Sequence, residues 1–333
     1  MIFVTGGTGL VGSHLLYRLT KEGNKVRVLC RDTSSKESVR KIFQFYSDNA
    51  ESYYQNIEWF EGDLHDYFSL LDALNDVEQV YHCAAMVSFK PSDSKEMFSN
   101  NVDGTANLVN ACIEMGTARF CFVSSIATLG DSPNGSPIDE STFWQNDDNH
   151  SVYSQSKFSS EMEVWRGTKE GLNAVIINPS VIIGPVELNR STGQLFETIM
   201  KGTPFYTIGS TGFVDVRDVV EAMIKVCNSD VVNERFIVNG ENIAYKDFFT
   251  MGAKEFNAKP PRFRAGRILT GIAWRLERLK YYILRVEPRF TKETARTSQH
   301  KSIYSNEKLQ KLYPINYIPI EESIKNAARY IKA

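Results

Sequence analysis

The sequence predicts an α/β protein with a doubly wound parallel sheet and a smaller, discontinuous C-terminal lobe. Short β-rich apolar runs alternate with helix-period segments through the first 180 residues, a glycine-rich turn follows the first run, and the rhythm loosens after Pro179. Strands that alternate with helices pair in parallel through right-handed crossovers, and repeated crossovers build such a sheet.

The predicted strands are apolar runs bounded by turn residues, namely Ile2–Thr5, Lys25–Cys30, Ile57–Glu61, Gln79–Cys83, Phe120–Ser124, Ala174–Asn178 and Arg235–Asn239. The predicted helices carry apolar residues at helical spacing, namely Val11–Glu22, Asn101–Met115, Tyr153–Glu170 and Val214–Val226. Segments 184–213 and 241–313 are richer in Gly, Pro, aromatic and basic residues. We therefore expect residues 1–180, completed by 214–240, to form one domain, and residues 181–213 and 241–333 to form the second lobe.

Composition limits the classes of function. The chain has 333 residues, 42% of them hydrophobic, and a net charge of −2, whereas a dedicated nucleic-acid binder carries a clear basic excess. Apolar runs are too short for a spanning helix, and the start has no basic stretch followed by an apolar run. Five cysteines occur without a CxxC pair. We expect a cytoplasmic protein that binds no nucleic acid and no metal.

The first predicted strand runs directly into the glycine-rich turn. Its sequence, Thr5-Gly6-Gly7-Thr8-Gly9-Leu10-Val11-Gly12, opens the first predicted helix. A pyrophosphate needs backbone amides at close range and a helix N-terminus aimed at it, and Gly6, Gly9 and Gly12 leave that room. Because the turn lies between a strand and a helix, it predicts a dinucleotide site formed by Thr5, Gly6 and 9–12.

The end of the second strand indicates which dinucleotide binds. An acidic residue there takes the ribose 2′-hydroxyl, whereas an arginine accommodates a 2′-phosphate. The strand ends at neutral Cys30, and Arg31 follows directly. Asp32 supports the competing interpretation, in which NAD binds, but it lies one or two positions too far beyond the strand to take the ribose 2′-hydroxyl. The sequence favours NADP, with NAD as the alternative.

A candidate catalytic pair opens the helix predicted at 153–170. Tyr153 and Lys157 lie one turn apart on the same face. A free phenol titrates near 10, and a nearby ammonium lowers that pKa toward the range useful for proton transfer. The strand ending at Ser124-Ser125 adds a hydroxyl that can hold a substrate oxygen. This constellation predicts hydride transfer with Tyr153 as general acid or base.

Eight motifs follow one another in a characteristic order, namely TGGTGLVG (5–12), GDL (62–64), HCAA (82–85), NNVDGT (100–105), VSSIATLG (123–130), YSQSK (153–157), NPSVIIGP (178–185) and FVDVRDVVEA (213–222). The chain thereby resembles the extended short-chain dehydrogenases/reductases of the NAD-dependent epimerase/dehydratase superfamily, which have a Rossmann sheet.

The resemblance implies roles for several further residues. Asp63 and Leu64 would flank the adenine, Ala84 and Ala85 the pyrophosphate and ribose, and Pro179, Ser180 and Val181 the nicotinamide. Ser125 matches the catalytic serine better than Ser124, which is expected among the cofactor contacts. Asn101 matches an asparagine that borders the site, where a bracing amide and a direct catalytic role are both open.

Two branches of this family differ in the reaction they imply. Dihydroflavonol reductase-like and cinnamoyl-CoA reductase-like members reduce a carbonyl with NADPH, whereas nucleotide-sugar epimerases and dehydratases keep NAD bound. Val26–Asp32, Asn178–Pro185 and Gly212–Val219 resemble the reductases. Gly130 replaces the residue that grips a flavonoid, so a flavonoid substrate is not expected. We expect an aldehyde or ketone reductase, with an epimerase or dehydratase, a 3β-hydroxysteroid dehydrogenase-like enzyme and a non-catalytic NADP sensor as alternatives.

Residues 259–296 form a basic stretch in which aromatic and aliphatic residues are interleaved. The stretch contains eleven Lys and Arg residues and three Glu residues. The stretch predicts either a helical lid over the substrate, with its aromatics packed on the lobe, or an amphipathic segment resting on an anionic membrane. Family members of this type are homodimers, through helices matching 101–115 and 153–170, or monomers, and both remain open.

Overall fold

The computed structural model of the chain describes residues 1–31, 36–88, 91–132, 135–145, 150–188, 192–284 and 290–333. Asp32, the alternative ribose-binding residue, lies outside these ranges.

A seven-stranded, all-parallel sheet forms the centre of the fold. Its strands, in chain order, are β1 (Ile2–Thr5), β2 (Val26–Cys30), β3 (Ile57–Glu61), β4 (Gln79–His82), β5 (Arg119–Val123), β6 (Ala174–Pro179) and, after three strands that lie outside this sheet, β10 (Glu234–Val238). They lie side by side in the order β10-β6-β5-β4-β1-β2-β3. The chain therefore winds outward in both directions from β1 and β4, whose carboxyl ends meet at the topological switch point where ligands bind in such sheets. The predicted doubly wound parallel sheet is confirmed.

Helices cover both faces of this sheet. Their bounds are α1 (Leu10–Lys21), α2 (Lys36–Tyr46), α3 (Ala50–Tyr54), α4 (Tyr67–Ala73), α5 (Ser94–Phe98), α6 (Gly104–Glu114), α7 (Val152–Lys169) and α9 (Val216–Cys227). Buried residues of α1, α2, α3 and α9 pack on one face with Val4, and those of α4, α6 and α7 pack on the other with Phe3. Phe3 and Val4, adjacent residues of β1, therefore lie in two different cores, because successive side chains of a strand point to opposite faces of the sheet.

Two predicted elements differ from the structure by more than one residue at an end. The helix expected at Val214–Val226 begins only at Val216, because Val214 pairs with Ile182 in a strand. Asp215 ends that strand and caps α9 by accepting a hydrogen bond from the amide of Arg217. The helix expected to begin at Asn101 is preceded by a π-helical turn over Ser99–Asp103, and α6 proper begins at Gly104.

The remaining elements form two small sheets and a group of helices. They comprise β7 (Val181–Ile183), β8 (Phe205–Tyr206), β9 (Ser210–Asp215), β11 (Glu241–Ala244), β12 (Phe263–Arg264), α8 (Gly193–Lys201), α10 (Tyr245–Glu255), α11 (Arg267–Leu284), α12 (Lys292–Thr297), α13 (Glu307–Leu312) and α14 (Ile320–Lys332). In the three-stranded sheet, β9 pairs with β7 in parallel and with β11 in antiparallel orientation. Phe213 of β9 stacks on Phe248 of α10 with ring centroids 4.4 Å apart. The two rings lie in a hydrophobic core to which α8, α10 and α14 also contribute.

Candidate active site

The glycine turn after β1 is packed so tightly that side chains cannot enter it. Gly6 has φ +68°, and a Cβ atom there would lie 2.5 Å from the amide nitrogen of Ala84. A Cβ on Gly12 would lie 2.2 Å from the Gly6 carbonyl oxygen. Gly9 precedes α1, no side chain among the described residues caps the helix there, and its first turn contains no acidic residue. The first amides of α1 are therefore left for an anion, so this turn fits a dinucleotide pyrophosphate.

A chain of buried hydrogen bonds connects this turn to the start of α6. The hydroxyl of Thr105 donates its one hydrogen to the carbonyl oxygen of Asn101 (2.5 Å). Its oxygen therefore accepts the other hydrogen bond, which the Nε2–H group of His82 donates (2.9 Å). The hydroxyl of Thr5 then donates to His82 Nδ1 at 2.6 Å. Burial and the nearby Lys157 charge lower the pKa of His82 to about 3, which keeps the imidazole neutral. Sequence reasoning gave His82 no role, although it begins the HCAA motif.

The side chain of Asn101 braces the loop after β4. Its Oδ1 accepts from the amide of Met86 (2.7 Å), and its Nδ2 donates to the Met86 carbonyl and to Ser156 Oγ, both at 3.0 Å. With the side chain 1% exposed and its amide engaged in this way, the geometry favours the bracing role over direct contact with substrate.

Tyr153 and Ser125 are brought together at the carboxyl end of β5. The Ser125 hydroxyl accepts a hydrogen bond from the amide of Ala127 (3.1 Å) and is hydrogen-bonded to the phenol of Tyr153. Burial raises the pKa of the half-buried Tyr153, and the Ser125 hydrogen bond acts in the opposite direction. The neighbouring Lys157 predicts a lowered pKa for the Tyr153 phenol, whereas desolvation dominates in the protein alone. The phenol therefore holds its proton at neutral pH.

Lys157 lies one turn after Tyr153 on α7, and its side chain is buried. Its ammonium donates to the carbonyl oxygen of Val123 (2.7 Å) and lies 4.4 Å from the centre of the Phe122 ring. Burial lowers the pKa of Lys157 to about 8, and the Glu161 carboxylate one turn along α7 partly offsets that effect. The ammonium is thus held near the tip of β5 at a cost in desolvation.

Glu161, which sequence reasoning did not select, is the centre of a buried polar network. Its carboxylate accepts from Ser124 Oγ (2.6 Å), Thr128 Oγ1 (2.9 Å), Asn178 Nδ2 (3.0 Å), Trp165 Nε1 (3.3 Å) and Arg235 Nη1 (3.3 Å). The side chain of Glu161 is fully buried, and that of Arg235 is 14% exposed. The network joins α7, the tip of β5, β6 and β10. Ser124, expected among the cofactor contacts, has its hydroxyl engaged inside this network.

The other predicted cofactor residues lie at the carboxyl edge of the sheet or beside it. Arg31 follows β2 with its side chain 68% exposed, and its Nε lies 3.9 Å from a carboxylate oxygen of Asp63. Leu64 packs against Gly104 at the start of α6, and its carbonyl accepts from Asn107. Ala84 and Ala85 follow β4, with Ala84 against Gly6. Pro179 ends β6, Ser180 is buried against Val238, and Val181 begins β7.

The chain is similar to known proteins in sequence and in fold. Residues 2–239 match the model of the NAD dependent epimerase/dehydratase family. The chain is 30% identical over 274 residues to sterol demethylase protein B of Methylococcus capsulatus (79% of this chain, 78% of the relative). It is 28% identical over 250 residues to cinnamoyl-CoA reductase 1 of Petunia hybrida (71% and 72%). The crystal structure of gox2253 superimposes with a TM-score of 0.83 at 30% identity, covering 100% of this chain and 98% of that one.

The fold and site thus define an NAD(P)-dependent enzyme with a Rossmann sheet. The chain belongs to the NAD-dependent epimerase/dehydratase family, the extended short-chain dehydrogenases/reductases, and the predicted resemblance is confirmed. Across the described residues, no helix combines the length and apolar character needed to cross a bilayer.

Proposed function

We propose that this enzyme is an NADP-dependent oxidoreductase that reduces an aldehyde or ketone to an alcohol. The observation that carries the proposal is the hydrogen-bonded pair of Ser125 and Tyr153, with the buried ammonium of Lys157 held at the tip of β5, two residues before Ser125. A carbonyl oxygen placed against this pair would meet two hydroxyl groups. The pair lies at the same edge of the sheet as the glycine turn, where parallel strands end.

The residues divide the chemistry between them. A bound nicotinamide supplies the hydride that adds to the carbonyl carbon. Ser125 and Tyr153 donate hydrogen bonds to the carbonyl oxygen, and Tyr153 transfers its proton to that oxygen as negative charge develops. The raised pKa of Tyr153 suits this direction, because the phenol enters the reaction protonated. Lys157 provides a fixed positive charge that stabilises the phenolate left behind.

Arg31 supports the choice of NADP over NAD. Its side chain is exposed at the end of β2, and its Nε lies 3.9 Å from a carboxylate oxygen of Asp63. A guanidinium binds a phosphate through two parallel hydrogen bonds, which matches the 2′-phosphate. In this proposal residues 1–180 and 214–240 hold the cofactor, and residues 181–213 and 241–333 form the substrate lobe.

A lipophilic substrate is a second candidate within the same chemistry. The relative named sterol demethylase protein B covers 79% of the chain at 30% identity. The reductase and the sterol enzyme types would use the same Ser125, Tyr153 and Lys157, and they differ in the substrate lobe. Comparison of a sterol ketone with small carbonyl compounds separates them.

The test is cofactor turnover by the purified protein with aldehydes, ketones, a 3-ketosteroid and a UDP-sugar, each with NADPH and with NADH. We expect oxidation of NADPH by at least one carbonyl compound, at a higher kcat/KM than with NADH. NAD retained through purification, with a UDP-sugar isomerised and no net oxidation of NADPH, would overturn the proposal in favour of an epimerase.

A further inference from the structure

The helix α11 presents an aliphatic stripe to solvent. Six residues at spacings of one, three and four positions lie within an arc of about 100° on the helix. Their exposed fractions are Ile268 83%, Leu269 40%, Ile272 51%, Leu276 60%, Leu279 54% and Ile283 68%. Contiguous exposed apolar surface of this kind marks a site of interaction.

The opposite side of α11 faces the protein and is polar or aromatic. Thr270 is buried and lies 3.5 Å from Gln299 Nε2, while Trp274 and Glu277 are half-buried. The arrangement is the reverse of α14, which buries Ile320 and Ile324 against the core. A surface helix ordinarily turns its apolar face inward, so the orientation of α11 requires an apolar environment outside this chain.

Positive charge surrounds this aliphatic stripe. On the helical wheel Arg275 and Lys280 border the stripe on its two sides. Residues 259–296 carry eleven Lys and Arg against three Glu, in a chain whose net charge is −2. Between α11 and α12 lies a cavity of about 380 Å³, lined in part by Arg267, Lys292 and Arg296. The basic character is therefore concentrated around α11.

We propose that α11 lies in the plane of an anionic phospholipid surface. The aliphatic stripe enters the boundary between headgroups and acyl chains, and Arg275 and Lys280 contact the headgroup phosphates. A second copy of the chain would present the same positive surface to itself, which opposes pairing through this helix. An anionic membrane matches both the apolar stripe and the charge, so the observations favour it.

The test is sedimentation of the full-length protein with vesicles. We expect binding to mixed phosphatidylcholine and phosphatidylglycerol vesicles, at least about tenfold stronger than to phosphatidylcholine alone, and weaker as salt rises. The double variant Ile272→Asp with Leu276→Asp should bind at least about tenfold more weakly. Phe68→Asp is the matched control, since Phe68 is 77% exposed on α4, and its binding should equal that of the wild type.

A second variant separates charge from apolar contact. Arg275→Glu with Lys280→Glu leaves the stripe intact and should reduce binding to the anionic vesicles by at least about tenfold. Circular dichroism verifies that both double variants are folded. The proposal is overturned if the wild type does not sediment with anionic vesicles, or if the stripe variant sediments equally well. A dimer that the stripe variant dissociates, without vesicle binding, would assign the stripe to a second copy instead.

Discussion

The hydroxyl of Ser124 donates a 2.6 Å hydrogen bond to the buried carboxylate of Glu161. This bond joins the tip of β5, which carries Ser125 in the next position, to α7, which carries Tyr153 and Lys157. The relative position of the three predicted catalytic residues therefore depends on a glutamate that need not touch the substrate.

Replacing Glu161 with Gln should destabilise the fold and alter the pH profile. Arg235 would lose its carboxylate partner in a buried site, so we expect the free energy of unfolding to fall by about 3 kcal/mol. The Glu161 carboxylate raises the pKa of Lys157, so its removal should move the alkaline decline of kcat/KM to lower pH. Urea unfolding and a pH–rate profile measure the two effects.

The control for this variant is Glu170→Gln, at the C-cap of the same helix. Glu170 is exposed and pairs with Arg166, so its loss should change the free energy of unfolding by less than about 1 kcal/mol. Equal stability and identical pH profiles for the Glu161 variant and the wild type would refute the positioning role.

Tyr153→Phe should remove the proton donor while the pocket keeps its shape. We expect kcat to fall by about 10²- to 10⁴-fold, with KM for NADPH unchanged. Steady-state kinetics with a carbonyl substrate measure both constants. Tyr67→Phe, which removes a surface hydrogen bond to Glu114, should leave both constants unchanged. Near-normal turnover of the Tyr153 variant would exclude Tyr153 as the general acid.

Lys157→Met should stabilise the protein while abolishing activity. The pKa of Lys157 is about 8 in the folded chain, against its ordinary value of 10.5, so burial of its charge costs about 3 kcal/mol at neutral pH. The Val123 carbonyl loses its hydrogen-bond donor in the variant, and this loss offsets about 1 kcal/mol of the stability gained by removing the buried charge. We expect a net gain of about 2 kcal/mol in the free energy of unfolding at pH 7.

The same variant has a diagnostic pH dependence. Between about pH 8 and 10.5 the unfolded wild type binds more protons at this lysine than the folded protein, so wild-type stability rises with pH relative to the variant. Urea unfolding of both proteins at neutral and alkaline pH should show their difference shrinking. A variant less stable than the wild type at pH 7 contradicts the desolvation argument.

Arg31→Ala should affect NADPH more than NADH. The 2′-phosphate would lose a bidentate partner, so we expect KM for NADPH to rise by at least about tenfold, while KM for NADH changes little. Arg18→Ala, which removes an exposed arginine of α1 paired with Glu22, is the control and should change neither. An equal rise for both cofactors would remove the argument for NADP.

Strands and the glycine turn could be predicted because their signals are local. The strands at 2–5 and 57–61 match residue for residue, since each is an apolar run bounded by turn residues. The helix predicted from Val214 was wrong at its start, because an apolar run followed by an acidic residue fits a strand end and a helix equally well. Only pairing with Ile182 decides between them.

The parts of the site that sequence reasoning missed depend on contacts distant in the chain. A glutamate inside a helical pattern is usually exposed, and nothing local shows that Glu161 meets Arg235, 74 residues away. His82 is joined to Thr5 across 77 residues. The aliphatic residues of α11 were visible in the pattern, but their orientation toward solvent depends on how the helix packs on the rest of the chain.

The last strand of the central sheet, β10, comes long after the other six strands in the sequence. Strand β10 pairs with β6 only after some fifty further residues, among them α8, β9 and α9, have been made, so a nascent chain that has just completed residue 180 carries an open sheet edge. Val175 and Ile177 of that edge are buried in the finished protein. An unpaired, apolar edge is a template for aggregation. A fragment truncated near residue 180 should therefore collect in inclusion bodies, because the β6 edge of its sheet has no partner strand.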